Sequence, residues 1–318
     1  MSSDGPALAH TLPPQDVTVH LRPAPARLVS VQEKEALIRS GVSYGELLTP
    51  EGVPSAAQRR AYADALDHNG ARVGELLAAL TASVLREYDR PVLVSLARAG
   101  TTVGCAMSRL SRRWAAELGA RALPHHTLSI IRGRGIDRVA LARVQAAHPG
   151  AQLVFVDGWT GKGSIEDTLR GSLPADVPAR LAVLSDPAGV ATHAATHEDL
   201  LLPHAALNAT VCGLLSRTFY TDPAQLHAAR IDQRQALIAA ADIVVKVRPP
   251  AVASACTADC SAQRVSPKLE FSTFAPKYTC PSGVRRAAPT RKRLKGAYAC
   301  LKAAFAPASS CASGNGLE

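Results

Sequence analysis

At 318 residues, with 47% hydrophobic and 19% charged side chains, the chain has a globular composition sized for one large or two smaller domains. No apolar run approaches the roughly 18 residues of a membrane span. Residues 1–27 lack the basic start and apolar stretch of a secretory leader, so a cytoplasmic protein without a membrane partner is expected. The formal charge of +10 suits anionic partners, but from Pro250 onward ten Lys and Arg face three acids, so the tail carries +7 of it.

In chain order, the Pro- and Ala-rich residues 1–27 read as a flexible arm. Ser30-Val31-Gln32-Glu33 has the form of a capping box and should open a helix through Ile38, ended by Gly41. Residues 42–54 read as a loop. Helical patterns near 55–68 and 72–87 follow, the second with an apolar stripe of Val73, Leu76, Leu77, Leu80 and Val84, and together they suggest an N-terminal helical cap. Pro91–Leu96 reads as a buried strand that runs into Arg98-Ala99-Gly100-Thr101, with a helix to about Leu118. Thr127–Ile131 is a second strand. Arg132-Gly133-Arg134-Gly135 after it reads as a mobile cationic loop, or as an exposed basic turn, and Asp137 caps a helix to about Ala147.

The richest stretch is Leu153-Val154-Phe155-Val156-Asp157-Gly158-Trp159-Thr160-Gly161-Lys162-Gly163-Ser164. A four-residue apolar strand ends at Asp157, a small-residue loop follows, and a helix opens with acids in its first turn. Such a strand–loop–helix can hold a phosphate through backbone N–H groups and the helix N-terminus, with Thr160, Gly161, Lys162, Gly163 and Ser164 as its contacts. A tight turn of any α/β protein would look similar. The P-loop pattern fails, because Gly163 follows Lys162 where serine or threonine is required. Arg180–Ser185 is a fourth strand, a helix is expected over 224–240, and Asp242–Val247 could be a further strand. Repeated β-α units predict an α/β fold with a doubly wound, mostly parallel sheet, its loops 97–104, 132–137 and 157–164 gathered at one carboxyl edge.

Four segments carry a resemblance: Val94–Thr101, Ile130–Asp137, Phe155–Gly163 and Leu207–Thr218. They are similar to the phosphoribosyltransferase-like bacterial family of tellurite-resistance and stress-response gene clusters, also named StiP and sometimes called a cysteine protease. The resemblance covers about residues 30–248. It implies a domain of type I phosphoribosyltransferase kind over 28–248 and a role in making or salvaging a nucleoside-like metabolite. The expected donor is phosphoribosyl pyrophosphate, held with Mg²⁺, and the acceptor is open. Asp157 would contact the ribose directly or through the metal. Thr160 to Ser164 would hold the 5-phosphate. Arg98, Gly100 and Thr101 would hold the pyrophosphate, with Arg132 and Arg134 closing over it. The usual acid pair is broken by Gly158, which favours a nucleotide-sensing module without turnover as an alternative. The resemblance leaves room for a homodimer.

The cysteine protease name supplies another alternative, a hydrolase using Cys212 with His193, His197 or His204 as base. The resembling family carries serine at that position, and buried cysteine is common in cores. His193 and His197 stand four apart, as on a helix, but without the flanking pattern of a zinc pair. The tail, 249–318, holds five of the seven cysteines, no histidine and the basic run Arg285–Lys295, and it lies beyond the resemblance. It reads as disordered or as the product of a reading-frame change. Without interleaved aromatics, nucleic acid is not the expected partner.

Overall fold

Residues 8, 10–25, 27–50, 55–202, 218–220 and 225–229 are described by the computed structural model. They belong to one unit, Met1–Val252. The expected strand at 242–247, the 207–217 part of the family motif and the tail from 249 lie outside the described residues.

A parallel sheet forms because the apolar runs of the sequence can be buried on both sides at once. Its strands are β1 (Thr18–Val19), β3 (Pro91–Ala97), β4 (His125–Ile131), β6 (Gln152–Trp159), β7 (Leu181–Ser185) and β8 (His193–Thr196), in the spatial order β1-β4-β3-β6-β7-β8. The pairs along that path are all parallel. Among the described residues two short additions complete the strands: β5 (Gly135–Ile136), antiparallel to β4, and a separate pair of β2 (Arg22–Pro23) with β9 (Ala228–Ala229). Alternate side chains enter two cores. Leu93, Val154, Val156, Ala182 and Leu184 meet helices α2 (Ala56–Glu87) and α3 (Ala99–Leu118). Val92, Val94, Leu96, Leu153, Phe155 and Val183 meet α4 (Arg138–Ala147) and α5 (Ser164–Ser172). Each large apolar side chain buried this way contributes about 1.5–3 kcal/mol.

The expected α/β class and parallel sheet are therefore present. So are the helix starts read from caps: Ser30 accepts from the Glu33 N–H ahead of α1 (Val31–Arg39), and Asp137 accepts from the Ala140 N–H. Three expectations change. The two helices near 55–68 and 72–87 are one, α2, opened by a full capping box between Ser55 and Gln58. It joins α3 in a layer on the sheet rather than forming a separate cap. The arm is built into the fold from Leu12 onward. Asp16 is buried between Arg109 and Arg112, Val17 and Leu21 are buried, and β1 pairs with β4. Proline and alanine content hides this, because a single buried carboxylate with two arginines fixes the segment. Finally, residues 225–229 of the expected 224–240 helix are not helical: a bend at 225 leads to Ala228 and Ala229, which pair with Arg22 and Pro23.

Candidate active site at the carboxyl edge

Strands β4-β3-β6-β7-β8 run in the doubly wound order 2-1-3-4-5, so the chain reverses direction across the sheet between β3 and β6. The carboxyl ends of those two strands carry Arg98 and Asp157, and this is where such sheets open a crevice for ligands. Arg98 sits half-buried at the N-cap of α3. Gly100, the second residue of α3, is a packing residue. A Cβ there would overlap the Val156 carbonyl oxygen and lie 3.1 Å from the Asp157 Cα, so α3 can press on β6 only because the position is glycine. Thr101 is buried, and its hydroxyl bonds the Thr127 hydroxyl at 2.7 Å.

Strand β6 continues past Asp157 to Trp159, because Asp157 and Trp159 remain paired to Val183 and Ser185. The Asp157 carboxylate accepts from the Gly158 N–H at 2.8 Å. Removal from water pushes its pKa up to about 7, with that one bond opposing. Thr160 turns inward and donates its hydroxyl to Asp186. Gly161 lies under the Trp159 indole, whose ring would occupy the place of a Cβ. Lys162 is exposed, Gly163 is the N-cap of α5 at φ 75°, and Ser164 begins that helix. The loop thus keeps the strand–loop–helix form, while its threonine serves the interior.

Asp186, at the end of β7, has no exposed surface. Burial would push its pKa up, but the Thr160 hydroxyl, the Ala191 and Val190 N–H groups and His197 outweigh this and hold it below the usual carboxylate range. His197 turns Nδ1 to the Asp186 carbonyl oxygen at 3.0 Å, with the carboxylate 3.9 Å away, and its side chain is 71% exposed. Nδ1 is thereby oriented and Nε2 is left toward solvent. His193 is not its helical partner. It lies in β8, bonded through Nδ1 to the Ser83 hydroxyl at 2.8 Å and through Nε2 to the Tyr88 hydroxyl at 2.9 Å.

Arg132 and Arg134 occupy the tight β4–β5 hairpin instead of a mobile loop. The pairing of Ile130 with Ile136 and Ile131 with Gly135 fixes the turn. Arg132 is exposed, whereas Arg134 bonds Glu46 at 2.7 Å and lies 4.7 Å over the Tyr220 ring. Sequence reading missed a buried polar group at the end of β4. There His227 Nδ1 meets the Ser129 hydroxyl at 2.8 Å, Ser129 donates to Thr218 at 2.7 Å, and the Asp137 carboxylate accepts from the His227 N–H at 2.7 Å. Only the pairing of β9 brings these residues together, so no local pattern marks them. Among the described residues, no three His, Cys, Asp or Glu side chains converge as a metal site would require.

Two cysteines, Cys105 and Cys212, fall within residues 10–243, the span matched by the family model described as "Tellurite-like stress resistance cysteine protease StiP". The chain belongs to the StiP family. It is also similar to the "Cysteine protease StiP" of Acinetobacter baylyi, 37% identical over 211 residues, which are 64% of this chain and 54% of that protein. The chain thus spans about half the length of this curated relative. StiP membership stands. The accompanying classification as a phosphoribosyltransferase, with its transferase activity, is corrected by both names. The site offers physical reasons for the correction. Asp157 is followed by glycine instead of a second acid, its carboxyl is held near neutrality, and Thr160 is committed to Asp186.

No helix among the described residues is long and apolar enough to cross a membrane.

Proposed function

We propose that the chain is a thiol hydrolase of peptide bonds, with Cys212 as nucleophile, His197 as general base and Asp186 as the group that orients it. The observation that carries this reading is the state of Cys105. It is buried in the α3 core, and desolvation, then Asp16, push its thiol up to about 12 against the pull of Arg109 and Arg112. A thiol so placed supplies almost no thiolate at neutral pH. Within the family span this leaves Cys212.

In the proposed reaction the Cys212 thiol gives its proton to His197 Nε2, and the thiolate attacks the peptide carbonyl carbon. The C–N bond breaks as the amine takes that proton, leaving a thioester. Water then attacks the thioester, losing its proton through His197, and the acid and the free thiol are released. The ionised Asp186 carboxylate favours the transient imidazolium. His193 is unsuited to this role because both its ring nitrogens are engaged. His204 lies outside the described residues.

The test combines iodoacetamide labelling with hydrolysis of a fluorogenic peptide pool. Cys212 should label first in the native chain, His197→Ala should slow that labelling near pH 7, and Cys212→Ala should abolish hydrolysis while Cys105→Ala retains it. Labelling of Cys212 only after unfolding, with hydrolysis intact in Cys212→Ala, would overturn the proposal.

A further inference from the structure

Three histidines from three segments form a line on the outer side of β4. His20 follows β1, His126 lies in β4, and His148 is the C-cap of α4. His20 Nε2 meets His126 Nδ1 at 2.9 Å, and His126 Nε2 meets His148 Nε2 at 2.7 Å. Each contact needs one proton between its two nitrogens, and only one. Three neutral imidazoles carry three protons, two in the contacts and one on an outer Nδ1. A fourth proton fits on the other outer Nδ1. A fifth would place two N–H groups face to face at hydrogen-bonding distance.

We infer that this chain of imidazoles is an acid-sensitive clasp: with at most one excess proton it holds residues 18–21 on the edge of β4, and a second excess proton releases them. The segment is held otherwise by the pairing of Thr18 and Val19 with His126 and Thr127, by the His20 N–H on the Thr127 carbonyl and by the burial of Leu21 against Leu8 and Ala229. Its two ends are fixed more firmly. Asp16 is bound by Arg109 and Arg112, and Arg22 donates to the Leu226 carbonyl at 3.0 Å. Opening is therefore local, between Asp16 and Arg22, and it uncovers the hydrogen-bonding edge of β4.

The surroundings set where this happens. Burial disfavours charge on His20; Arg143 of α4 adds to this and Asp137 opposes it. Burial likewise disfavours charge on His126, with His20 and His148 adding to it. His125 faces elsewhere, bonded to the Asp16 carbonyl and the Ser95 hydroxyl, and beyond His148 Arg90 donates to the Pro149 carbonyl.

The test uses the full chain, with hydrogen exchange of residues 17–21 and imidazole nitrogen NMR followed from pH 7.5 to 5. Exchange corrected for its intrinsic rate should rise about tenfold per pH unit once the second proton binds, after NMR shows one excess proton shared by the three rings. His126→Ala should make exchange insensitive to pH. His148→Ala leaves a two-ring contact that also admits one excess proton, so its acid response should persist. Both outer histidines fully protonated with exchange unchanged in the native chain would overturn the inference.

Discussion

The ends of β6 and β7 lie side by side, and each presents an aspartate, yet the two carboxyls have opposite electrostatics. Asp157 has one N–H partner and is pushed up to about 7; Asp186 is fully buried and is held below the usual carboxylate range. Burial therefore does not decide whether a carboxyl is charged. The partners do: a hydroxyl, two N–H groups and an imidazole around Asp186 replace the water it lost, and a single N–H beside Asp157 does not. The first arrangement suits a fixed negative charge that orients a base. The second makes a group that changes charge near neutral pH.

The largest expected effect comes from emptying the better-served site. Asp186→Ala strands the Thr160 hydroxyl and the Ala191 N–H and removes the negative charge 3.9 Å from the His197 ring, while the backbone carbonyl that holds Nδ1 stays, so urea unfolding should show a loss of about 3–5 kcal/mol, and the proposed hydrolysis should fall. An unchanged unfolding midpoint would mean that the partners do not hold the charge.

The next effect probes the packing that removes water from Asp157. Gly100→Ala forces α3 off β6, at a cost of about 1–3 kcal/mol, and should bring the Asp157 titration toward the ordinary carboxylate range as water enters. Carboxyl carbon NMR reads that shift directly, and no shift in a folded variant would detach the pKa of Asp157 from the helix contact.

The smallest effect is a gain. Asp157 titrates near 7 when folded against an ordinary 3.8, so its contribution to stability is complete below pH 3.8 and is lost as pH rises through about 7. Asp157→Asn should therefore match the native chain near pH 4 and exceed it at pH 8 by about 1–2 kcal/mol, a figure reduced from the full shift because the side chain is partly exposed. Equal stability at pH 8 would show that Asp157 is solvated.

Much of the sheet was legible in local pattern. Apolar runs located β3, β4, β6 and β7, and Ser30 and Asp137 marked helix starts, because capping depends on residues three apart. The break expected between 68 and 72 does not occur, since the Gly70 within it weakens a helix by only about 1 kcal/mol and the packing of α2 overrides it. The site was half legible. Asp157 and the glycine loop stand out in sequence, whereas the roles of Gly100 and Thr160 depend on β6 and β7 passing beside them. His193 and His197 have helical spacing, but pairing of Ala182 with His193 draws that segment into β8 and sends the two rings to different partners.

The sequence by itself determined the α/β class, the parallel strands and the residue types gathered at the carboxyl edge, because periodicity and caps act over a few residues. Tertiary structure alone decided which carboxyl is charged, which cysteine is withheld from solvent, and that the N-terminal segment belongs to the sheet. Those outcomes depend on desolvation and on hydrogen-bond partners brought from distant parts of the chain, such as Asp16 with Arg109 and Arg112, or Thr160 with Asp186.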